Sequence, residues 1–149
     1  MQVGSLLVGA TIVAGMMIAS QGIINGRMAQ HMGGPIQAAL ISFSVGWIAL
    51  LTLNLALGHT LPVGRAMSEA PWWAWLGGLM GAVVVTLAAT AVPRIGVATY
   101  VSAFIAGQLT AAVVYDHYGF LGQTVREVTL PRLLGVGFLA LGVYLIRRY

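Results

Sequence analysis

Apolar residues fall into five long runs along the chain, separated by short polar breaks. The runs cover about residues 3–24, 36–57, 72–92, 98–116 and 132–148. Each is close to the ~20 residues a helix needs to cross a bilayer core. Proline marks three of the starts. Pro35 follows Gly33-Gly34, Pro71 follows Ser68-Glu69-Ala70, and Pro131 follows Thr129. Proline is tolerated in a first helical turn, where its missing N–H has no partner to lose. Pro93 and Gly96 instead break the chain between the third and fourth runs, leaving a tight hairpin. The pattern predicts an all-α integral membrane protein of five transmembrane helices, one transmembrane domain over residues 1–149.

Composition sharpens this picture. The 149 residues are 59% hydrophobic and 7% charged, whereas soluble chains are about 45–50% apolar and about 25% charged. So little charge cannot cover a water-exposed surface. The N-terminus lacks a basic segment ahead of its apolar run, and that run is too long for a secretory signal, so it reads as a retained first span. Every cation is arginine, and the arginines are dispersed, which gives no nucleic-acid patch. No cysteine is present, and His31, His59 and His117 lie in loops without a shared spacing, so neither a metal site nor a bound cofactor is expected. No nucleophile–base pair is legible, and the chain does not read as an enzyme.

Five spans put the termini on opposite sides of the membrane. Arg27, Arg94, Arg147 and Arg148 fall on one side; Arg65, Arg126 and Arg132 fall on the other. Arginine and lysine near span ends set orientation, and here they nearly balance. A single dominant loop could fix one orientation. The odd span number and small size favour dual topology, in which copies insert both ways and pair antiparallel, since many transporters are inverted repeats around a midplane site.

Polar residues at depth are the candidates for chemistry. Gln21 and Asn25 share a face of the first span at i, i+4. Asn25 can be read as a helix cap with Gly26 supplying the turn, which leaves Gln21 over. Gln108 lies near the centre of the fourth span and must face the bundle interior, because an unpaired amide in hydrocarbon costs several kcal/mol (about 2–7). Its role is either glue between helices or contact with a substrate. Asp116 ends that span, and a pair with Arg126 or Arg132 is its simplest account. Trp47 is a mid-span indole that should face a neighbour or a cavity. Trp72, Trp73 and Trp75, with Tyr115, Tyr118, Tyr144 and Tyr149, read as interfacial anchors. The small-residue spacings Gly22/Gly26, Gly77/Gly81 and Ala103/Gly107/Ala111 suit close helix contacts within one subunit.

In this order, Gln21-Gly22-Ile23-Ile24-Asn25-Gly26, Ala39-Leu40-Ile41-Ser42-Phe43-Ser44-Val45-Gly46, Pro71-Trp72-Trp73-Ala74-Trp75-Leu76-Gly77-Gly78, Pro93-Arg94-Ile95-Gly96, Ala106-Gly107-Gln108 and Asp116-His117-Tyr118-Gly119 resemble the YdcZ-type branch of the drug/metabolite transporter superfamily. The resemblance spans essentially the whole chain. It implies a five-helix unit similar to half of a ten-helix transporter, placed in a bacterial inner membrane and exporting small polar or amphipathic molecules without ATP. It maps polar motif positions onto Gln21, Asn25, Gln108 and Asp116. The first span lacks the carboxylate of small multidrug exporters, which argues against cation specificity.

The expected function is secondary transport by alternating access in an antiparallel homodimer, or in a heterodimer with a paralogue. The first four spans would line the path and the fifth would pack at the periphery or the dimer interface. Gln21, Asn25 and Gln108 would bind the small-molecule substrate by hydrogen bonds, with Trp47 and Tyr100 as apolar walls and Asp116 as a further substrate-binding candidate. The competing expectation is a non-transporting assembly or regulatory subunit; a channel is disfavoured by the lack of a charged ring or filter loop.

Overall fold

The computed structural model describes residues 2–122 and 124–149. Six α-helices carry the chain: α1 Gln2–His31, α2 Pro35–Ala56, α3 Val63–Glu69, α4 Leu76–Ile95, α5 Val97–Tyr118 and α6 Leu130–Arg148. A 3-10 turn, Trp72–Trp75, leads into α4, and another, Phe120–Gly122, follows α5. Five helical segments are long and apolar enough to cross a membrane: Gly4–His31, Pro35–Ala56, Trp72–Ile95, Val97–Tyr118 and Leu130–Arg148. The all-α, five-span architecture is therefore the one the hydrophobic runs predict. The short helix α3 interrupts what reads as a loop between the second and third runs.

Two helix ends differ from the sequence expectation. The helix α1 does not stop at Asn25-Gly26 but continues to His31. The turn into α2 is made by Gly33 and Gly34, at φ 85° and 153°, a backbone region that L side chains seldom enter. Asn25 is thus no cap. Gly26, far from making a turn, sits in mid-helix against α4, where contact replaces the helix propensity a glycine lacks. Likewise Pro93 lies inside α4, and only Gly96, at φ 82°, breaks the chain before α5. One lost hydrogen bond near a helix end is tolerable where the last carbonyls have no intrahelical donors anyway. The Arg94 Nη1 group there donates to the Thr90 carbonyl at 2.6 Å.

The helices cluster into two compact units, Met1–Arg94 and Ile95–Tyr149. In the first, α1, α2 and α4 meet through small residues. Gly22, Asn25 and Gly26 of α1, Ala38 and Ala39 of α2, and Val85, Ala88, Ala89 and Val92 of α4 are its buried positions. A Cβ placed on Gly22 would stand 3.0 Å from Val92 Cγ2, and one on Gly26 would stand 2.9 Å from Pro93 Cγ. One on Gly81 would stand 3.2 Å from the Phe43 ring, which joins α4 to α2. At these glycines a side chain would crowd a neighbouring helix, most of all at Gly26, and small residues at close contacts are the packing mode that lipid favours. The other small-residue spacings behave differently. Gly77, Gly107, Gly135, Gly137 and Gly142 have nothing within 4 Å of a built Cβ, so a methyl group there would meet no neighbour among the described residues.

In the second unit α5 packs on α6. Asp116 near the end of α5 pairs with Arg132 near the start of α6 at 3.3 Å, and the Arg126 backbone N–H donates to the Asp116 carbonyl at 2.7 Å. Gly119 caps α5 in the left-handed conformation. Tyr115, His117, Tyr118 and Phe120 form a ring cluster around that end.

Candidate functional site

Ordinary helix chemistry decides which polar groups of α1 and α2 are free to act. Hydroxyls inside a helix commonly donate to the carbonyl four residues back. Thr11 donates to Leu7, Ser20 to Met16, Ser44 to Leu40 and Thr52 to Ile48, each at 2.8–3.0 Å. Asn54 donates to the His59 carbonyl and closes the turn after α2. Gln21 and Ser42 make no hydrogen bond among the described residues, and both open onto the same cleft.

That cleft lies between α1 and α2 and encloses about 360 Å³; its lining is Gln21, Ser42, Phe43, Gly46, Trp47 and Leu50. The volume is within the ordinary range for small-molecule sites, about 300–1,000 Å³. Ser42, Gly46 and Leu50 recur at i, i+4, i+8 and so share one face of α2, with Phe43 and Trp47 on the adjacent row. Gly46 is the floor: a Cβ there would meet nothing within 4 Å, so the missing side chain is what opens the space. The walls are mostly apolar and carry no charge. The polar groups are one carboxamide, which donates and accepts, one hydroxyl and one indole N–H. Such a cleft suits an uncharged molecule with a flat apolar portion and a hydrogen-bonding edge. It offers a bare cation no counter-charge.

The other expected site residues are placed as follows. Trp47 is on the lining of the α1–α2 cleft but is 65% exposed, so most of its ring faces away from the chain. Asn25, one turn from Gln21, is 2% exposed, and its Nδ2 has no hydrogen-bond partner. Its neighbours on α1, Gly22 and Gly26, pack against α4. Tyr100 is 7% exposed and stacks on Phe104 with ring centroids 5.8 Å apart. Asp116 is engaged by Arg132, the simpler of the readings its position allows. Gln108 departs from expectation. It is exposed on α5, with no hydrogen bond among the described residues, rather than turned into the bundle. The depth argument asks for a partner for that amide, and none is supplied among the described residues. Ser42 was not singled out from the other hydroxyls by sequence, because its spacing is that of any serine in a span. Its difference from Ser44 is which carbonyl its rotamer can reach. No group of His, Asp and Glu that could hold a metal occurs among the described residues.

Five apolar helices long enough to cross a membrane, with a cleft between α1 and α2 that carries no charge, define a small multi-pass membrane protein. The family described as "Putative inner membrane exporter, YdcZ" matches residues 6–145, and the chain belongs to it. The curated Inner membrane protein YdcZ of Escherichia coli (strain K12) is 24% identical over 144 residues, covering 97% of this chain and 96% of that protein. No solved structure matches. The chain is accordingly a multi-pass protein of the bacterial inner membrane, in a family of exporters.

Proposed function

We propose that this protein is a secondary exporter of small, uncharged polar or amphipathic molecules, with no enzymatic activity, and that the α1–α2 cleft is where it first holds them. The observation that carries the reading is the pairing of two unpartnered polar groups, Gln21 and Ser42, with the Trp47 and Phe43 rings in a cleft without charge. A buried site built to hydrogen-bond a ligand discriminates by leaving its own groups unpaired when the wrong ligand binds. Gln21 therefore sets the polar specificity, and Trp47 supplies apolar area. From the second unit, Gln108 is the amide free to meet a ligand. Tyr100 serves as an apolar wall through its stack on Phe104. Asp116, tied to Arg132, shapes the mouth rather than binding a cation.

The working form in this reading is an antiparallel pair of copies, each similar to half of a ten-helix transporter, alternating access by rocking of bundles. What supports it is the near-balance of arginines together with surfaces the chain leaves uncovered. The Gly107 position, next to the exposed Gln108, and Gly135, Gly137 and Gly142 of α6 are open to close approach by another helix. Reporter fusions to the C-terminus should register activity on both sides of the membrane. A single orientation would rule out the homodimer and leave a heterodimer with an oppositely inserted paralogue.

The ligand class is tested with purified protein in detergent. Chloramphenicol, a neutral molecule with one aromatic ring, an amide and hydroxyls, is a suitable probe; tetraphenylphosphonium is its cationic counterpart. Chloramphenicol should raise the melting temperature in proportion to occupancy, and tetraphenylphosphonium should not. The reverse order would contradict the neutral cleft.

A further inference from the structure

Beside the contact that Gly22 and Gly26 of α1 make with α4 stand a buried side-chain donor without a partner and a carbonyl without its helical donor. Asn25 is buried, and its Nδ2 donates to nothing among the described residues. Across the contact, Pro93 has no N–H to give the Ala89 carbonyl, the acceptor four residues before it. That carbonyl oxygen lies 3.7 Å from where a Gly26 Cβ would be, one residue from Asn25. Everything else in the contact is smooth: Gly22 and Gly26 on α1, Ala88, Ala89, Val92 and the Pro93 ring on α4. From Thr11 to Arg94, the side-chain hydrogen bonds among the described residues join groups no more than five residues apart. Among the described residues from Thr11 onward, no side-chain hydrogen bond ties α1 to α4.

A contact that leaves a buried amide unpaired is held by packing alone, and parting it would let water or a ligand satisfy that amide. We infer that the Gly22–Asn25–Gly26 stripe of α1 and the Ala88–Pro93 segment of α4 form a moving seam. It is closed over Asn25 in this structure. It parts in the opposite state of the cycle, and Asn25 then joins Gln21, one turn away, on the solute path. Two amides at i, i+4 on α1 thus act in succession: Gln21 is open to the cleft in the closed state, and Asn25 is added when the seam parts. The inference rests on the exporter reading given above, since it assigns that cycle a moving element.

The absence of cysteine makes a direct test possible. A Cβ on Gly22 would lie 3.9 Å from Val92 Cβ, within the ~3.5–4.5 Å that a disulfide requires. The Val92→Cys change also removes the Cγ2 methyl that would crowd it. In proteoliposomes, the oxidised Gly22→Cys/Val92→Cys protein should lose at least about tenfold in counterflow of labelled chloramphenicol, and dithiothreitol should restore it. Fully cross-linked protein that transports at the reduced rate would overturn the seam. A second measurement is independent of transport. Asn25→Cys in native membranes should react slowly with N-ethylmaleimide, and Gln21→Cys quickly. Joining the Gly22→Cys/Val92→Cys disulfide to Asn25→Cys, with the pair oxidised before labelling, should abolish the slow reaction. If Asn25→Cys never reacts while Gln21→Cys does, the seam does not part. If Asn25→Cys reacts but wild-type protein moves no chloramphenicol, the seam stands and the proposed solute class fails.

Discussion

Replacing Gly26 with leucine is expected to prevent the first unit from assembling, so that little protein accumulates in the membrane and what is recovered melts far below the parent. A Cβ at this position would stand 2.9 Å from Pro93 Cγ and 3.3 Å from Pro93 Cδ. A pyrrolidine ring fixed in a helix cannot swing aside as a long side chain can. Forcing extra carbon into a filled contact typically costs about 1–3 kcal/mol, and Gly26→Ala should fall in that range. Leucine adds three further carbons at the same point and should exceed it. Gly15→Ala, at a position of α1 outside the contact, is the control. Nothing lies within 4 Å of its built Cβ, and alanine is the better helix former by about 1 kcal/mol. Its melting temperature should stay level or rise slightly. Equal losses at the two sites would mean that the α1–α4 contact does not organise the unit.

The contrast between these glycines shows what the sequence could and could not disclose. Five spans were legible because bilayer thickness imposes a length, and each apolar run satisfies it. Gly33-Gly34 and Gly96 were legible as breaks because positive φ is a local demand. Asn25-Gly26 and Pro93 looked like breaks on the same local grounds and are not. They face one another across α1 and α4, so a tertiary contact offsets two poor helix formers at once. Gln21 and Trp47 could be picked out by depth, since a mid-membrane amide or indole wants a partner. That they share a cleft with Ser42 depends on the α1–α2 packing and on rotamers, neither of which has a sequence signature. Gln108 shows the limit of the depth argument: burial in a membrane protein can be completed by another chain.

The second large effect concerns the cleft. Gln21→Ala removes its carboxamide and should weaken chloramphenicol binding by about tenfold, the equivalent of about 1.4 kcal/mol, in the range of one lost hydrogen bond. Gly46→Leu acts by volume instead. With nothing within 4 Å of its built Cβ, a side chain there enters the empty cleft rather than a neighbouring helix. The variant should keep the parent's melting temperature and lose the thermal shift induced by chloramphenicol. This combination separates a filled site from a damaged fold. A Gly46→Leu protein that still responds to the probe would place binding elsewhere.

Solute counterflow tests the central claim most directly, because it reads carrier-mediated exchange without knowledge of the driving force or direction. Vesicles containing the purified protein are loaded with unlabelled chloramphenicol and diluted into labelled chloramphenicol, with protein-free vesicles giving the leak. Wild-type protein should accumulate label transiently above the leak, Gln21→Ala should reduce the initial rate by about tenfold, and Gly46→Leu should abolish it. Accumulation that is unchanged in both variants would contradict an exporter that holds its solute between α1 and α2.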